Sequence, residues 1–231
     1  MLSSTHASPI KNHLCWPAPH LTQRGNRRGD VFFTDDDRET YLSWLAEYCE
    51  RHQAEIVAHC PMSNHTHLVA VPAADDGLVR VLRPLYMRNA QLVNRAQGWS
   101  GHLWPGKYFS SSLDSAYLWA AVRYVERNAE RAGIERRAEA YRWSSNAAHC
   151  AKQPNVLLNP QSRWGRRFFD VADWSAWLSQ GNEQDEMMTP RRNVDKGLPC
   201  GSQRFIDKLG QTTGRDLSYR SQGRPATVRQ E

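Results

Sequence analysis

Hydrophobic positions change period repeatedly along the first 130 residues. Short apolar runs at 18–24, 54–60, 65–71 and 107–112 carry β-branched or alternating residues and predict strands. Between them, 35–52, 77–96 and 115–131 place apolar residues at three-and-four spacing and predict helices, the second broken or bent at Pro84. The acidic run Asp35-Asp36-Asp37 suits the start of the first helix, while Asp114 or Ser115 caps the third and Gly133 ends it. Two strands follow each other directly between helices. That order predicts an α+β fold: an antiparallel sheet with helices packed on one side, in the split β-α-β plan.

The third strand contains His65-Thr66-His67. Alternation along a strand puts both imidazoles on one face, the first two ligands of a metal site, with Thr66 pointing away. In the third helix, Tyr124 and Asn128 are four residues apart and share a face, presenting a phenol and an amide to the same volume. Each feature also has an ordinary structural explanation, as half-exposed histidines on a strand and a tyrosine at a core edge.

The order of motifs resembles the REP-associated tyrosine transposases, within the single-tyrosine transposases that carry a His-hydrophobic-His (HUH) nuclease centre. The similarity runs through His20-Leu21-Thr22-Gln23-Arg24-Gly25-Asn26-Arg27, Ala58 to Val69, Ser100 to Tyr108, Arg123 to Asn128 and Tyr141-Arg142-Trp143-Ser144-Ser145. It implies that His65 and His67 are metal ligands, Asn128 the third ligand and Tyr124 the nucleophile. It also implies Mg²⁺ or Mn²⁺ as cofactor, and single-stranded DNA hairpins such as REP elements as substrate. The product would be a covalent 5′-phosphotyrosine and a free 3′ hydroxyl. The chain departs from the family at Thr66, where an apolar residue is usual, and at Ala129, where proline commonly follows the asparagine. Losing that proline lets the helix run on.

The chemistry is coherent. A cation on a non-bridging oxygen offsets the charge that shields a phosphodiester, and a tyrosine of ordinary pKa, about 10, needs assisted deprotonation and in-line placement. A side-chain nucleophile conserves the bond energy in a covalent adduct, so the reaction class is cleavage and rejoining. A non-catalytic hairpin-binding or regulatory protein is the alternative function.

Composition adds a polyanionic partner. The chain has 231 residues, net charge +6 and pI about 9.2. Residues 187–231 hold nine Lys or Arg against four Asp or Glu, so most of the excess lies in the tail. Candidate DNA contacts are Arg24, Asn26, Arg27 and Arg28 in a Gly-containing loop, Arg95, Trp104 and Lys107 among interleaved aromatics, and Arg191, Arg192 and Arg224 in the tail. The expected organisation is an N-terminal segment 1–17, a nuclease domain 18–152 and a basic extension 153–231 with a short helix near 202–209. Five cysteines without CxxC spacing argue against a disulfide framework or zinc ribbon, and no long apolar run marks a membrane span. A bacterial cytoplasmic protein is expected, with monomer and homodimer both open.

Overall fold

The computed structural model describes residues 18–151, 154–180, 193–194 and 196–219. Four strands, β1 (His20–Arg24), β2 (Glu55–Met62), β3 (His65–Val71) and β4 (Phe109–Ser111), form an antiparallel sheet in the order β2-β3-β1-β4. Helix α1 (Asp35–Arg51) joins β1 to β2, and α2 (Gly77–Gln97) joins β3 to β4. This is the split β-α-β plan with β1 and β3 central.

The α1 start is a capping box: Thr34 Oγ1 accepts from the Asp37 amide, and the Asp37 carboxylate accepts from the Thr34 amide. Helix α2 continues through Pro84 instead of breaking there. Its buried stripe, including Leu78, Val81, Leu82, Leu85 and Val93, packs in one core with Tyr41 and Leu45 of α1. That burial exceeds the roughly 3 kcal/mol that an interior proline costs a helix.

Both sheet faces are covered, not one. Leu21, Ile56, Leu68 and Ala70 face α1 and α2. Ala58, Cys60, Met62 and Val69 face α3 (Ser115–Glu126), which contributes Leu118, Ala121, Val122, Tyr124 and Val125. The expected single helix over 115–131 is divided at Arg127, and a short α4 (Asn128–Arg131) follows. The Asn128 side chain supplies the reason: its Nδ2 donates to the Tyr124 and Val125 carbonyls at 2.9 and 3.3 Å, competing with the backbone for those acceptors.

Beyond α5 (Asn146–Ala151), α6 (Arg163–Phe169) and α7 (Trp174–Ser179) send Phe168, Trp174 and Leu178 into the α3 core, so the packing continues past residue 153. Trp119 of α3 meets Phe168 at 4.6 Å and Trp177 at 5.3 Å between ring centroids. A last helix, α8 (Gln203–Thr213), coincides with the expected helix near 202–209 and is capped by Ser202.

The chain just before α8 is fastened to the start of α3. Cys200 donates its amide to the Ser112 carbonyl and accepts from the Asp114 amide. Asp114 caps α3 with Oδ1, accepting from Ala116 and Tyr117, and takes the Ser202 amide on Oδ2.

Candidate active site

The register of β1 against β3 assembles the site. Thr22 pairs with His67 and Arg24 with His65, so the side chains of His20, Thr22 and Arg24 share a face with both histidines. His65 and His67 stand with ring centroids 4.9 Å apart at 81°. Tyr124 reaches down from α3: its ring is edge-on to His67 at 5.4 Å and to His20 at 5.4 Å. Arg131 lies over the Tyr124 ring, 4.8 Å from its centre. The structure therefore brings His65, His67 and Tyr124 together from two elements distant in sequence.

All three imidazoles are buried, and burial depresses their basicity. His65 falls to about 4 and His20 to about 3, while His67 falls well below the ordinary value, helped by the neighbouring histidines and by Arg24 and Arg131. Each is neutral at pH 7, the form that offers a lone pair to a cation.

Asn128, one turn beyond Tyr124, is also buried. Because its two partners are carbonyls, which only accept, the NH₂ must face them, and Oδ1 is not engaged by either. Among the described residues no group of three His, Cys, Asp or Glu side chains is placed to hold a metal. Two imidazoles with an amide oxygen are a donor set of the open kind, suited to a divalent cation that keeps positions for substrate or water.

The remaining expected residues divide. Arg24, Asn26, Arg27, Arg28, Arg95 and Lys107 are exposed. Arg27 and Arg28 both adopt positive φ, 56° and 60°. Their loop is held from three sides: Gly25 donates its amide to the Asn64 carbonyl, Asn26 its amide to Leu103, and Asn64 Nδ2 donates to the Arg28 carbonyl. Gly25 is required there, because a Cβ would sit 2.5 Å from the Gly29 oxygen and 2.6 Å from Val31. Trp104 is a correction. It is 5% exposed, packs on Tyr86 and Phe32, and donates Nε1–H to Asn89 Oδ1 at 2.9 Å, so its ring faces are closed to a base. Trp99 and Phe33 are exposed rings, in edge contact at 5.6 Å. Arg191, Arg192 and Arg224 lie outside the described residues.

Residues not singled out in the sequence are also present. His20 Nε2 is 3.1 Å from His67 Nδ1, and Asn64 Oδ1 is 2.6 Å from His65 Nδ1. The available signals were alternation with Thr22 for His20 and adjacency to the histidine pair for Asn64. Behind the tyrosine, the fully buried Glu126 accepts from Ser145 Oγ at 2.5 Å, His149 Nδ1 at 2.6 Å and Trp174 Nε1 at 2.6 Å.

The site is thus a histidine pair on a central strand of a split β-α-β sheet, with a tyrosine helix across it. Residues 17–128 match the family model described as Transposase IS200 like. The fold is similar to that of a REP-associated tyrosine transposase solved bound to a REP hairpin, with TM-score 0.50 and 15% identity over 68% of this chain and 92% of that one. A second solved chain, a putative transposase from Deinococcus radiodurans R1, matches at TM-score 0.36 and 18% identity over 54% of this chain and 90% of that one. No curated protein matches the chain. No helix among the described residues is long and apolar enough to cross a membrane.

Proposed function

We propose that this chain is a metal-dependent, single-strand DNA endonuclease and strand-transferase acting on hairpin-forming DNA, with Tyr124 as nucleophile. The observation that carries the proposal is the edge-on placement of the Tyr124 ring against His67, 5.4 Å between centroids, on a helix packed over the histidine strand. His65, His67 and Asn128 would hold Mg²⁺ or Mn²⁺, which when bound supplies Lewis-acid stabilisation of phosphate charge.

This chain's own groups do the rest. The helix holds the phenol in one orientation, replacing a bimolecular encounter by a positioned one. Arg131, over the Tyr124 ring, adds positive charge beside the phenol and the incoming backbone. Attack forms the Tyr124 Oη–P bond and breaks the P–O3′ bond. The phenol's proton is lost, the 3′ oxygen leaves as a hydroxyl, and the 5′ phosphate stays on the protein. Reversal by another 3′ hydroxyl rejoins strands. The exposed cations Arg24, Arg27, Arg28, Arg95 and Lys107 would track the backbone, and Trp99 with Phe33 would stack unpaired bases. REP-like hairpins are the proposed substrate class, supported by the hairpin-bound structural relative and by the basic charge.

The test is incubation of full-length protein with a labelled single-stranded hairpin and Mn²⁺, followed by denaturing electrophoresis. A protein-linked DNA band is expected for wild type and none for Tyr124→Phe. His67→Ala should lose cleavage and keep hairpin binding. Cleavage by Tyr124→Phe would remove the tyrosine from the mechanism. Tight binding without any covalent band in wild type would instead identify a binding protein.

A further inference from the structure

Two side chains outside the proposed ligand set grip the histidines by the same ring nitrogen. Asn64 Oδ1 lies 2.6 Å from His65 Nδ1, and Asn64 Nδ2 donates to the Arg28 carbonyl at 3.1 Å. The second contact decides the first. The Arg28 carbonyl can only accept, so the NH₂ of Asn64 must face it and the amide oxygen must face His65. An amide oxygen also only accepts, so the proton of neutral His65 must sit on Nδ1. Nε2 is then a bare lone pair. The Asn64 backbone is fixed as well, since its carbonyl takes the Gly25 amide at 2.9 Å.

At His67 the contact is between two rings: His20 Nε2 lies 3.1 Å from His67 Nδ1, with both residues buried. For His67 Nε2 to be a lone pair, His67 Nδ1–H must donate to His20 Nε2, leaving the His20 proton on Nδ1, which has no partner. The opposite arrangement, in which His20 Nε2–H donates, puts the His67 proton on Nε2 and closes that ring to a cation. Either way the Nδ1 side of both rings is occupied and only Nε2 is available.

We propose that Asn64 and His20 are positioning residues that direct Nε2 of His65 and His67 toward one cation, with Asn64 fixing the His65 tautomer before any metal arrives and His20 Nε2 accepting a hydrogen bond from His67 Nδ1–H when it does. The inference rests on the metal-centre reading above, but makes a claim about the metal-free protein that can fail separately. Protons are conserved in the His67 step: the one on Nε2 leaves to solvent, the shared one moves from His20 Nε2 to His67 Nδ1, and His20 Nδ1 takes one from solvent. Hydrogen-bond partners of metal-binding histidines act in this way, and losing one costs about 10- to 100-fold in metal affinity.

The experiment uses the full chain labelled with ¹⁵N-histidine. In long-range ¹H–¹⁵N spectra of metal-free protein, His65 is expected to show a protonated Nδ1 and a bare Nε2. A wild-type spectrum with His65 protonated on Nε2 overturns the inference without any variant. Asn64→Ala should populate the Nε2–H tautomer and weaken Mn²⁺ binding, followed by electron paramagnetic resonance, about 10- to 100-fold. Asn64→Asp, which keeps an acceptor, should retain the wild-type tautomer. His20→Gln, which can still accept from His67 Nδ1, should hold Mn²⁺ better than His20→Phe. If His65→Ala abolishes Mn²⁺ binding while Asn64→Ala changes neither tautomer nor affinity, the positioning role is wrong and the metal centre stands. If His65→Ala and His67→Ala both leave Mn²⁺ affinity intact, the metal centre itself fails.

Discussion

Replacing Glu126 tests how the tyrosine helix is anchored. The carboxylate is fully buried two residues after Tyr124 and takes three short hydrogen bonds, from Ser145, His149 and Trp174. Glu126→Ala leaves three buried donors facing a gap. At about 1–3 kcal/mol for each unsatisfied group, and with Ser145 able to use the His59 carbonyl 3.4 Å away, a loss of about 2–6 kcal/mol is expected from the other two. In a chain of this size each kcal/mol moves the melting temperature by about 2–4 °C, so Glu126→Ala should melt about 4–24 °C lower. Glu126→Gln retains one acceptor oxygen and a group that can donate to Ser145 Oγ, and should lose only about 1–3 kcal/mol. Differential scanning calorimetry on the full chain reads both. A Glu126→Ala protein melting within about 3 °C of wild type would refute the anchoring argument. Equal losses for Ala and Gln would show that the carboxylate itself, not the bulk of the side chain, holds the helix end.

Acid should destabilise the protein before carboxylates titrate. His59 and His20 are held neutral down to about 4 and 3, mainly by burial, whereas the unfolded chain protonates them near 6.5. The unfolded state then binds more protons, so stability falls by about 1.4 kcal/mol per histidine for each pH step below 6.5 until the folded-state value is reached. Urea midpoints that are flat between pH 6.5 and 4.5 would contradict this. Trp104→Phe should cost about 1–3 kcal/mol by leaving Asn89 Oδ1 without its donor, with hairpin affinity per folded molecule unchanged; a selective loss of binding in filter assays would restore a DNA role for that ring. Arg27→Gly and Arg28→Gly should relieve positive-φ strain, for a change within about 1 kcal/mol of wild type in thermal melts, while weakening hairpin binding and reducing its salt dependence. An unchanged salt slope would take that loop out of the interface.

The sheet and the histidine pair were legible because period-two alternation is a local property of β3, and the tyrosine helix because its apolar stripe is continuous. Pairing across the sheet is not local. His20 is read as one more strand residue until its position two residues before Thr22, which pairs with His67, is known. Asn64 is likewise one turn residue among several until the Arg28 carbonyl fixes its amide. Pro84 and Arg127 mark opposite failures of helix rules: at Pro84 tertiary burial overrides a breaker, and at Arg127 the Asn128 side chain divides a run that has no breaker. Trp104 was misplaced because an aromatic among basic residues looks the same in sequence whether its ring meets solvent or Tyr86. The cover on the second face of the sheet was missed for a different reason: α3 is legible as a helix, but the face it packs on is set by long-range packing and not by its own apolar stripe.

Asp114 serves two masters, with one oxygen on the first turn of the tyrosine helix and the other on the Ser202 amide. A version of this protein ending before residue 193 would strip the outer partner from Ser112 and Asp114 and leave the helix root held from one side only. Low activity in such a shortened protein would then report a loosened hinge pin, not missing contacts to DNA. The same linkage ties a downstream segment directly to the root of the helix that carries Tyr124.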